Sequence, residues 1–97
     1  MFELRWTKEA EANYARLKGD PSRARQYRAV RDTIGFLAAN PRHPSLESHE
    51  FTSLRGPDGE KVFEAYAQQR TPAAYRVFWY YGPGRGLITI VSITPHL

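Results

Sequence analysis

The sequence predicts a two-layer α+β fold, with an N-terminal strand and a helical hairpin packed on one face of an antiparallel sheet. Three observations predict it. Apolar residues recur at helical spacing through most of the first forty positions. Three runs rich in β-branched and aromatic residues follow position 60. The connections between those runs are short enough to serve only antiparallel neighbours.

In order, Phe2, Leu4 and Trp6 alternate with Glu3 and Arg5, the period of a half-buried strand. Thr7 caps a helix whose first turn carries Glu9 and Glu11. Ala10, Tyr14 and Leu17 share one face of it, and Gly19 ends it. Asp20-Pro21 opens a second helix, in which Tyr27, Val30, Ile34 and Leu37 repeat until Asn40-Pro41 stops it. Arg23, Arg25, Arg28 and Arg31 lie on its outer face. Residues 41–60 read as an irregular crossing segment with a brief extended piece from Phe51 to Leu54, closed by the turn Gly56-Pro57-Asp58-Gly59. Lys61 to Gln68, Ala74 to Tyr81 and Leu87 to Thr94 then form a three-stranded meander, with the first strand joining at its side. Most aromatics, including Trp6, Tyr14 and Trp79, read as core.

One domain spanning 1–97 is expected, since two cores in 97 residues would each be too small to stabilise themselves. The absence of cysteine excludes disulfides, thiolate metal sites and a cysteine nucleophile. Charges near the start and the lack of any long apolar stretch predict a cytoplasmic protein with neither signal peptide nor membrane span. The net charge of +4 is carried mostly by arginine and implies an acidic partner; RNA, DNA and an acidic protein segment all satisfy it. His43 and His49 are too far apart in an irregular segment to suggest a metal pair, and no metal or cofactor is expected. Gly82-Pro83-Gly84-Arg85-Gly86 precedes no helix and is a hairpin turn rather than a phosphate loop.

In the middle strand Tyr75, Val77, Trp79 and Tyr81 share one side; Arg76, Phe78 and Tyr80 share the other. Burying an unpaired arginine would be very costly, so Arg76 is expected on the face away from the helices. There it either pairs across the sheet with Glu64 or meets a ligand.

The order of elements, together with Phe63-Glu64-Ala65-Tyr66, Thr71-Pro72-Ala73-Ala74-Tyr75-Arg76-Val77-Phe78-Trp79 and Ile88-Thr89-Ile90 through Thr94-Pro95-His96, resembles the RelE/ParE superfamily of bacterial toxins. The similarity is to its RelE/YoeB-like branch. It implies the RelE-like fold, a cognate antitoxin partner and, in the relatives that cut messenger RNA on the ribosome, an arginine on the middle strand and a histidine or tyrosine at the chain end facing the scissile phosphate. Arg76 matches that arginine and His96 the terminal histidine. Leu97 stands where the branch has a tyrosine. The family's carboxylate falls in the segment near 47–50, where either Glu47 or Glu50 matches it.

Metal-independent cleavage needs a base, a cation at the phosphate and an acid for the leaving oxygen. His96 suits the base or the acid, Arg76 the phosphate, and Glu64 the orientation of either. Lys61, Phe78, Tyr80, Arg28 and Arg31 are the candidate RNA-binding residues, the two aromatics as stacking faces. Two other functions fit the same resemblance: a ParE-like inhibitor of DNA gyrase, and a catalytically inactive binding module of the same fold.

Overall fold

The computed structural model describes residues 1–96; Leu97, the position matched to the branch's tyrosine, lies outside the described residues. The chain runs β1 (Glu3–Trp6), α1 (Lys8–Lys18), a 3-10 turn (Pro21–Arg23), α2 (Ala24–Ala39), a second 3-10 turn (Pro44–Leu46), then β2 (His49–Arg55), β3 (Lys61–Tyr66), β4 (Tyr75–Tyr81) and β5 (Leu87–Pro95). Thr7 caps α1 as expected: its Oγ1 accepts from the Ala10 N–H at 3.0 Å and donates to the Val91 carbonyl at 2.7 Å. Asp20 caps Ser22 rather than α2 itself. The proline therefore starts a 3-10 turn, and the α-helix begins at Ala24.

The sheet is five-stranded and mixed, in the order β1-β5-β4-β3-β2: β3, β4 and β5 form the expected antiparallel meander with β1 at its side, but β1 runs parallel to β5 and β2 adds a fifth strand. The parallel β1–β5 pair explains the difference: the α1–α2 hairpin and everything after it lie between these strands in sequence, which leaves β1 free to run alongside the last strand. A second correction concerns residues 41–60, where the extended piece is a seven-residue edge strand. Its composition hid it. Only Phe51 and Leu54 are apolar between His49 and Arg55, and the register to β3 shifts between Glu50 and Arg55.

Two clusters divide the sheet's faces. On one face, Val77 and Trp79 of β4 and Ile88, Ile90 and Ile93 of β5 meet Ala10 and Leu17 of α1 and Val30, Ile34 and Leu37 of α2. Ile90 and Ile93 are three apart yet share this face. Trp79 pairs with Ile90 and Phe78 with Ser92, so Val91 is an extra residue that resets the alternation. On the opposite face Val62, Phe78 and Tyr80 pack with Phe51 and Val91, so that face is not wholly bare. Asn13 Oδ1 accepts from the Ile93 N–H at 2.9 Å and fastens α1 to the strand just past the extra residue.

Candidate active site

The β2–β3 and β3–β4 registers assemble three polar side chains on the face away from the helices. His49 is the direct cross-strand partner of Glu64; Arg76 is opposite Tyr66, two pairs further along and diagonal to Glu64. The Glu64 side chain is 3% exposed and each oxygen is used. Oε1 lies 2.7 Å from His49 Nε2, and Oε2 accepts from Arg76 Nη1. Since a carboxylate oxygen only accepts, the hydrogen on His49 sits on Nε2 and, in the neutral ring, Nδ1 keeps its lone pair. The His49 side chain is 50% exposed, so that lone pair is within reach of a ligand.

Arg76 is held on both sides. Its guanidinium carbon lies 5.1 Å above the Phe78 ring, and its side chain is 17% exposed. Its Nε is buried without a partner among the described residues. An orphaned buried donor costs about 1–3 kcal/mol, so an anion that drew the fork outward would relieve that penalty. Phe51 meets Phe78 edge-on with centroids 4.9 Å apart, and Tyr66 tilts against His49 at 5.6 Å. The constellation is therefore rimmed by aromatic rings.

His96 stands two residues past Thr94, the direct partner of Arg76, and its N–H donates to the Ala74 carbonyl at 2.7 Å. It is exposed and, with Tyr66 and Glu47, lines a groove of about 770 Å³ beside the β3–β4 connection. The registers thus bring Glu64, Arg76 and His96 to one region and add His49, which the sequence reading had weighed only as a metal ligand. The direct pairing of β2 with β3 was the missing information.

The other candidates fall elsewhere. Phe78 and Tyr80 are 5% and 6% exposed, covered by Val62, Phe51 and Val91, so neither offers an open ring face for stacking. Lys61 is exposed but alternates with Phe63 and Ala65 toward the helix side, away from Glu64. Arg28 and Arg31 are exposed on α2, in the layer across the sheet, and Arg31 is paired with Asp32 at 3.2 Å. Of the two alternative carboxylates, Glu50 pairs with Phe63 on the helix side and reaches Arg55 at 3.5 Å, whereas Glu47 borders the groove with His96. No group of three His, Cys, Asp or Glu able to hold a metal occurs among the described residues. Among the described residues no helix is long and apolar enough to cross a membrane.

Neither a protein-family model nor a curated protein matches the sequence. Solved structures do match. A YoeB/ParE toxin from Agrobacterium tumefaciens superposes with a TM-score of 0.71 at 14% identity, covering 99% of this chain and 100% of that one. The archaeal RelE-RelB complex from Pyrococcus horikoshii OT3 gives 0.64 at 17% identity, with 97% and 93% covered. The intact E. coli RelBE toxin-antitoxin complex gives 0.64 at 10% identity, with 100% and 99% covered. Two helices on one face of a five-stranded mixed sheet, matched along nearly the whole length of each chain, give this protein the α+β fold of the RelE/ParE toxins.

Proposed function

We propose that the chain is the toxin of a type II toxin-antitoxin pair and a metal-independent endoribonuclease that cuts messenger RNA on the ribosome, in the cytoplasm. The observation that carries the reading is the buried Glu64 carboxylate held between a half-exposed imidazole and a guanidinium, with a second imidazole just past the end of β5. A buried ion pair is weak evidence of stability, because apolar residues of similar volume often stabilise as well or better. Its placement at an open, aromatic-rimmed face favours a chemical role.

In the proposed reaction His49 Nδ1 takes the proton of the 2′-hydroxyl, whose oxygen attacks the adjacent phosphorus. Arg76 stabilises the crowded phosphate through its fixed donors. The bond from phosphorus to the 5′-oxygen breaks as His96 hands that oxygen a proton, leaving a 2′,3′-cyclic phosphate on the upstream fragment. Glu64 orients His49 and Arg76 and touches no reacting atom. The partner is a cognate antitoxin, as the solved RelE-RelB and RelBE complexes suggest by analogy, and the net positive charge calls for an acidic segment in it.

Expression of the wild type should arrest growth and cut transcripts within translated regions, and Arg76→Ala should relieve both. Equal arrest by the alanine variant would overturn the assignment. Arrest with intact transcripts and DNA-damage signalling would favour gyrase inhibition, and a wild type that neither arrests growth nor cuts would leave only a binding module.

A further inference from the structure

We infer that the groove beside the β3–β4 connection holds the base next to the scissile phosphate and that Arg70 selects guanine there. The inference rests on the ribonuclease reading above and names the specificity of that same site. The groove is lined by Tyr66, Gln69, Arg70, Pro72, Ala73 and His96, among others. It begins where the catalytic constellation ends: Tyr66 is the cross-strand partner of Arg76, and His96 is bonded to Ala74 at the start of β4. Direct partners in a sheet are about 5 Å apart, so a phosphate at Arg76 puts its neighbouring base at the mouth of the groove.

The connection is firmly anchored and strained at its tip. Ala67 and Gln68 both donate their N–H to the Tyr75 carbonyl, at 3.0 and 3.3 Å, and Gln68 Oε1 accepts from the Tyr75 N–H at 3.2 Å. Between these anchors Arg70 and Ala73 adopt φ of 57° and 55°, a region that side-chain-bearing residues enter only where the surroundings impose it. Such strain is concentrated at functional sites, and here it fixes the backbone that carries Arg70, the one lysine or arginine among the described residues that line this groove.

The lining chemistry matches one base best. Unstacked RNA bases are read by stacking on aromatic rings and by hydrogen bonds to their edges. Tyr66 supplies a half-buried ring and Arg70 an exposed planar fork. The fork donates twice, and guanine presents two adjacent acceptors, O6 and N7. Adenine sets a donor at the same edge and repels one arm of the fork. The volume, about 770 Å³, lies within the roughly 300–1,000 Å³ of small-molecule sites.

The test maps cut positions in a messenger whose coding region samples all four bases, translated on the same ribosomes with wild type, Arg70→Gly and Arg70→Lys. Glycine accepts the positive φ and keeps the loop, and lysine keeps the charge without the fork. The wild type should cut beside guanine, and both variants should lose roughly tenfold of that preference while still cutting. Variants that keep the wild-type base profile, or a wild type without preference for guanine, would overturn this inference alone. A wild type that cuts no RNA would overturn the ribonuclease reading, and this inference with it.

Discussion

Glu64 and His49 face each other directly across β2 and β3, with Glu64 Oε1 2.7 Å from His49 Nε2, while the other Glu64 oxygen takes Arg76. One buried carboxylate therefore fixes the orientation of two exposed-side groups. Glu64→Gln keeps the shape but leaves Arg76 without a counter-charge. Stability should fall by about 3 kcal/mol, the lower end for a broken buried pair because Arg76 retains some solvent contact. Replacing both Glu64 and Arg76 with leucine should cost less than either single leucine substitution. Urea unfolding of wild type and the four variants measures both effects.

His49→Ala should separate chemistry from folding. The side chain is half-exposed and Arg76 still neutralises Glu64, so unfolding should change by no more than about 1 kcal/mol. Cleavage should fall on the order of 10²- to 10⁴-fold, as for loss of a general base, with little change in RNA affinity. Single-turnover rates and binding isotherms on one preparation check the split.

Tyr14 makes the helical hairpin sensitive to alkali. Burial first, and then its hydrogen bond with Tyr27, pushes its phenol up to about 12. In the unfolded chain it ionises near 10. The folded form holds the proton more tightly, so this stabilisation is complete below about pH 10 and is lost as pH rises toward about 12. Wild type should lose stability across that window, and Tyr14→Phe should lose less. Urea midpoints at a series of alkaline pH values measure the difference.

Thr7→Ala removes two bonds made by one hydroxyl, the cap on the Ala10 N–H and the donation to the Val91 carbonyl. The expected loss is about 1–2 kcal/mol. Thr7→Ser should recover most of it. An equal loss in the serine variant, by urea unfolding, would show that the methyl group carries the effect.

The helices and inner strands were legible because their signals are local: the cap at Thr7, and apolar periods that match the observed core from Tyr14 through Ile93. Arg76 could be placed on the face opposite the helices from the cost of burying it, and the pairing with Glu64 followed. β2 was harder to read because an edge strand needs few apolar residues, and without its register His49 had no reason to meet Glu64. The second, smaller cluster was equally hidden: alternation put Phe78 and Tyr80 beside Arg76, but only the positions of Phe51 and Val91 reveal that both rings are covered. The parallel β1–β5 pair depends on chain topology that no local spacing encodes.

The central claim is that Arg76, His49 and His96 act on one phosphate from the face away from the helices. The most direct measurement is the cleavage rate and end chemistry of a defined messenger on purified ribosomes, with wild type and Arg76→Ala shown to be folded. The account predicts cuts by the wild type that leave a 2′,3′-cyclic phosphate, and a rate on the order of a hundredfold lower or less for the variant. Equal rates for the two proteins, or a messenger left intact by the wild type, would contradict it.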